Sequence, residues 1–292
     1  MQRGWCVGCF ALIAFFQTVS AGDAVGAKLH FGRGFTQALE GRRALSVREA
    51  PIGRVLRNLQ EQTGLCIIFD RRIDPAQRVT LSTGLVPTED LLRQVAAELP
   101  TAGVSVNRAF VYIGPQATAE RLRTLCEQNR SIIVDGRRQF EPETYAKLCS
   151  SEPLSWPDLQ MPRDVVAGLA VRSGVQVVNL DRVPNDLWHA GRLSRMPFAE
   201  SATLLLCQFD LTFSIDAGSA ECTIVPMPER VLQNRRHRVA RQYRGEAEQQ
   251  LAHSFPGLEL NWDQSGVRLG ATYEQHERIE AWLSGESSLS DD

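Results

Sequence analysis

Apolar positions along the chain recur in two matching runs. One is "PIGRVLRNLQEQTGLCIIFDRR" from Pro51, the other "PRDVVAGLAVRSGVQVVNLDRV" from Pro162. Ile52, Val55, Leu56 and Leu59 in the first, and Val165, Val166 and Leu169 in the second, fall at helical spacing and predict one apolar stripe on each helix. Each helix opens at a proline, which suits a first turn. Each stops at a glycine, Gly64 or Gly174, where a left-handed cap costs little. The β-branched runs "CIIF" and "VQVV" then read as buried strands. Each leads into Asp-Arg, at Asp70-Arg71 and Asp181-Arg182.

The second halves correspond as well. "PTEDLLRQVAAEL" and "PFAESATLLLCQF" read as amphipathic helices, each followed by two short strands. A strand before the first helix completes the unit: "ALSVREA" in copy one and "WPDLQM" in copy two. The unit is βαβ(β)αββ, and about 70 to 75 residues suffice for such a domain. In copy one "RVTLS" supplies the bracketed strand; in copy two the turn "PNDLW" is expected to replace it. A third segment, from His237 to Leu283, reads βαββα. Ala247, Leu251 and Phe255 line its first helix; Thr272 and Gln275 form a capping box for its second, where Ile279, Trp282 and Leu283 face inward.

The fold class is therefore α+β, in three small modules at 44–115, 154–228 and 229–284. A helical linker (116–153) with two short helices joins the first two. Residues 22–43 read as a leader, with "FGRGF" as linker, and 285–292 as a disordered polar tail. Residues 1–21 read as a signal peptide. Arg3 precedes a short apolar run, and Val19 and Ala21 sit at the small-residue positions of a cleavage site. A retained anchor is the alternative. The chain is then exported, to a periplasm or cell envelope, with no transmembrane span after cleavage.

Composition adds little pull toward any partner. Hydrophobic residues make up 43%, charged residues 23%, and the net charge is −2, so no overall field draws nucleic acid or membrane. Five of the seven cysteines lie beyond the signal, an odd number. Export permits disulfides. One expectation is a bridge between Cys126 and Cys149 in the linker helices; another joins Cys207 and Cys222. The alternative is that they fill cores. Cys66 is expected to be a buried free thiol.

The passage from "PIGRVLRNLQEQTGL" through a strand ending in Asp, then "VTLSTGLVPTEDLLRQV" and a closing hairpin, resembles the short N-terminal domain of secretins and TonB-dependent receptors (the STN domain). The resemblance covers Ala44 to Pro115 and, more loosely, Leu154 to Pro226. The βαββα segment is similar to secretin ring-building domains. "DRRIDP" and "PNDLW" resemble exported planctomycete-type proteins with paired modules. These resemblances imply a non-catalytic envelope protein that contacts a protein partner, such as an outer-membrane or secretion component. No run of barrel strands follows, so pore formation does not carry over.

Candidate chemistry is sparse. No nucleophile, Walker or dinucleotide motif is present, and no cofactor or metal is expected. The five histidines lack metal-ligand spacing and read as structural or surface groups, with His276 on a polar or half-buried face. An envelope enzyme would need Asp181, Asp186 and His189 to converge in a cleft between modules. An anion-binding protein would use Arg235, Arg236, Arg238 and Arg241; the other reading of that run is an interdomain linker entering a strand. Nucleic acid is not expected, because stacking aromatics are missing. The stretch "NLDRVPNDLWHAGRL" reads as a structural loop in which Asn185 or Asp186 bonds backbone amides. Its other reading is a recognition surface led by Trp188 and His189.

Overall fold

The computed structural model describes residues 28–286 and 289. The segment expected to be a signal peptide and most of the expected polar tail lie outside them. Within the tail, Leu289 is buried against the third core.

The chain begins with α1 (Arg33–Glu40), where a linker was expected. Phe35 and Leu39 are buried, so this turn of leader belongs to the first core. Then follow β1 (Arg42–Arg43), β2 (Ser46–Pro51), α2 (Ile52–Thr63), β3 (Ile67–Phe69), β4 (Arg78–Ser82), β5 (Val86–Pro87), α3 (Thr88–Ala97), β6 (Ala102–Val106) and β7 (Val111–Pro115). Next come α4 (Gln116–Asp135), α5 (Pro142–Cys149), β8 (Glu152–Trp156), α6 (Pro162–Ser173), β9 (Gln176–Val178), β10 (Gly191–Met196), α7 (Phe198–Leu206), β11 (Leu211–Asp216) and β12 (Glu221–Pro226). The last segment is β13 (Gln233–Arg238), α8 (Arg244–Ser254), β14 (Asn261–Asp263), β15 (Gly266–Ala271) and α9 (Tyr273–Leu283).

The two repeats pair their strands in the same way. In the first, β2 runs antiparallel to β4, and a separate sheet has the order β3-β7-β6. In the second, β8 runs antiparallel to β10, and the other sheet has the order β11-β12-β9. The link between the first strand and the last is parallel in both, β3 with β7 and β9 with β12. Gly64 and Gly174 cap α2 and α6 in the left-handed conformation, at φ 67° and 73°. A side chain there would cost the strain that glycine avoids.

Three expectations change. The bracketed strand of the second copy is present as β10, displaced beyond the "PNDLW" turn. Its partner is "EPLSW" rather than "WPDLQM", because the chain turns after Trp156. The first linker helix, α4, runs for 20 residues and is no tether. Leu122, Leu125, Cys126 and Ile133 bury one face of it in the second core.

That core also explains "FVYI" at 110–113, a run without alternation. Val111 and Ile113 point into the first core, Phe110 and Tyr112 into the second. A sheet covered on both faces needs apolar residues at every position. The third module packs α8 and α9 on a sheet ordered β13-β15-β14, around Leu251, Val267, Leu269 and Ile279. Trp282 and Leu283 are half-buried and pack against this core. The Thr272–Gln275 capping box forms.

Neither expected disulfide forms; all five described cysteines are free. Cys126 faces the core from α4, whereas Cys149 is exposed at the end of α5. Cys207 donates to Leu204 O at 3.3 Å, while Cys222 sits in β12 opposite Val177. Burial raises the thiols of Cys126 and Cys207 well above their ordinary value and pushes Cys222 up to about 12. They are protonated core-fillers, not poised thiolates.

Candidate functional site

The two repeats meet across a cleft of about 540 Å³. One wall is α2, β3 and the turn after β3; the other is the 186–193 segment with α7. The turns after the two parallel strands have diverged. In the first copy Asp70 is fully buried, and Arg72 clasps it with two hydrogen bonds, Nε to Oδ1 at 2.9 Å and Nη2 to Oδ2 at 2.8 Å. Tyr112 donates its hydroxyl to the same carboxylate. Arg72 also reaches the second copy, through Asp210 Oδ1 at 2.6 Å and Cys207 O at 3.1 Å. Burial works against the Arg72 charge, but the hydrogen bonds and charges of Asp70 and Asp210, with Tyr112, together outweigh it and raise its pKa. Burial and the neighbouring Cys207 and Asp70 push the Tyr112 hydroxyl up. The counterpart, Asp181, is exposed in a turn of 3-10 helix; its carbonyl accepts from Arg163.

The segment 185–191 is zipped to 156–160. Trp188 N donates to Gln160 O at 2.9 Å, Ala190 N to Asp158 Oδ1 at 3.1 Å, and Trp156 Nε1 to His189 O at 2.9 Å. Antiparallel pairing of Gln160 with Trp188 sends alternate side chains to opposite faces. Trp188 goes inward, 8% exposed, between Trp156 and Phe209, with ring centroids at 5.4 and 5.8 Å. Leu187 and His189 go outward. Trp188 and His189, neighbours in the candidate recognition loop, are separated by the pleat.

Asp181, Asp186 and His189 do not converge. Asp186 pairs with Arg71 at 2.7 Å across the cleft, and His189 Nδ1 lies 3.2 Å from Asp158 with its side chain 98% exposed. Asp186 also accepts from Leu187 N, the turn bond expected of it. An acid–base set needs groups within reach of one substrate atom; here Asp186 and His189 hold separate partners and Asp181 lies exposed in its turn.

The arginine cluster is divided too. Arg235 lies over the Tyr273 ring at 4.5 Å and 3.8 Å from Glu280; Arg236 pairs with Asp263 at 2.6 Å and bonds Ser265. That leaves Arg238 and Arg241 without a polar partner among the described residues. Alternation along β13 buries His237 instead.

The partner of His237 is not visible in the sequence. Its Nε2 lies 2.8 Å from His276 Nδ1, and His276 Nε2 lies 2.8 Å from Gln233 O. Both rings are buried, so His276 is not on a polar face. A carbonyl only accepts, so His276 carries its proton on Nε2, and His237 Nε2 donates to His276 Nδ1. Burial lowers both pKa values; the charge of His276 lowers His237 further. The two lie 39 residues apart, which no local spacing rule detects.

No helix among the described residues is long and apolar enough to cross a membrane, and no group of three or more potential metal ligands occurs among them. No family model, curated protein or solved structure matches the chain.

Proposed function

We propose that the chain is a non-catalytic exported envelope protein whose tandem modules make protein–protein contacts, as the resemblance to secretin and TonB-receptor short N-terminal domains implies. One observation carries the reading. Leu159, Met161 and Leu187 are 63%, 41% and 60% exposed on two loops zipped together by the Gln160–Trp188 pairing. Met161 and Leu187 flank that pair on its outer face, with Leu159 and His189 beside them. Grouped exposed apolar side chains on a rigid base are what a partner surface needs. Trp188 works from beneath, holding the loops to the core. Here the loop is both an ordered structure and a recognition surface.

The test is affinity capture from envelope extract with the full chain and with a Leu159→Asp/Leu187→Asp variant. Both positions are exposed, so the fold is expected to persist. A partner retained by the wild type and lost by the variant supports the reading. Identical captures from both, or none from either, would sink it.

A further inference from the structure

The cleft between the repeats has a chemistry that the outer patch does not use. Its floor is apolar, with Leu56, Ile67 and Leu193 from both copies. Two arginines line it, Arg57 from α2 and Arg192 from β10, one from each copy. Neither has a carboxylate partner among the described residues, whereas Arg71 beside them is matched by Asp186. Trp188 lines the cleft as well, its indole N–H buried with no acceptor among the described residues.

We infer that the cleft between the repeats binds a small organic acid with an apolar body, its carboxylate held by Arg57 and Arg192 and its body on the apolar floor. Volume and charge agree with this. Small-molecule sites span about 300–1,000 Å³ and combine apolar walls with a few fixed polar groups. Two unmatched cations call for an anion, and a guanidinium meets a carboxylate through paired hydrogen bonds. An inorganic anion would leave the apolar floor unused. Asp186 keeps Arg71 out of this role and ties the two walls together. Leu187 borders both sites, but the inference is separable from the proposed protein contact, since Arg57 and Arg192 carry it while Leu159 and Met161, which do not line the cleft, belong to the other.

The experiment is titration calorimetry on the full chain, with tryptophan fluorescence as a second readout for Trp156 and Trp188. The probes are decanoate, 4-phenylbutyrate, the amide of each, and inorganic phosphate. At least one acid is expected to bind, its amide roughly tenfold more weakly, and phosphate not at all at the same concentration. Whichever acid binds better fixes the body as aliphatic or aromatic. An Arg57→Gln/Arg192→Gln variant should lose roughly tenfold in affinity with its thermal melt unchanged. Leu159→Asp should bind as the wild type does. Failure of both acids, equal binding of an amide, equal binding of phosphate, or full affinity in the arginine variant would each overturn the inference.

Discussion

Leu159 holds a left-handed φ of 61° while leaving most of its side chain in water. Left-handed backbone costs an L-residue about 1–2 kcal/mol, whereas glycine there loses about 0.5–1 kcal/mol in chain entropy. Leu159→Gly is therefore expected to stabilise the fold by about 0.5–1 kcal/mol. A denaturant midpoint that falls instead would mean that the leucine packs in the fold, and its value as a contact would go with it. At this scale Gly64 and Gly174 were legible from sequence, because a helix ending in glycine has a local cause. The left-handed Leu159 was not, because nothing local favours it. The same holds for Trp188 and His189: both stood out by type, but only the pairing with Gln160 sends one inward and the other outward.

The packing of β13 against α9 rests on the buried His237–His276 pair. Both histidines titrate below the ordinary value near 6.5, chiefly because burial penalises the charged ring. The unfolded chain therefore binds protons first as pH falls. The pair's contribution is full above about 6.5 and is lost as pH drops toward the lowered folded values. Arg235 opposes protonation of both rings, while Glu280, 3.9 Å from His237 Nδ1, favours it. Glu277, also on α9, has a raised pKa from burial and gives the opposite slope, losing stability as pH rises. Melting the wild type and a His237→Gln/His276→Gln variant at pH 7 and pH 5 separates the two. The wild type should lose more stability on acidification; parallel losses would refute the pair's role. Among the elements themselves, the amphipathic helices and the capping box at Thr272 were readable, since their periods and caps are local. The strand β10 was not readable, because its signal, "GRLSRM", alternates weakly and follows an irregular turn.

Across the whole molecule, the seam between the repeats depends on Arg72. Its guanidinium joins buried Asp70 to Asp210 and Cys207 O of the other copy. Removing it leaves the Asp70 carboxylate buried with Tyr112 as its remaining side-chain donor. Breaking one partner of a buried ion pair costs about 3–5 kcal/mol, and Arg72 is partly exposed, which reduces this. Arg72→Ala is expected to destabilise the chain by about 2–4 kcal/mol in equilibrium unfolding. A loss under about 1 kcal/mol would show that the apolar seam alone holds the copies together.

Period, proline and glycine act within a few residues, so the two similar runs, the α+β class and the βαββα order of the last segment were legible without a structure. That α4 is core rather than linker, that the cysteines stay apart and that Arg57 and Arg192 share one cleft emerges from the packed fold. Those outcomes depend on which faces meet. Charge pairing and burial between residues far apart in the chain are set by the packing of whole elements, not by the neighbours of either residue.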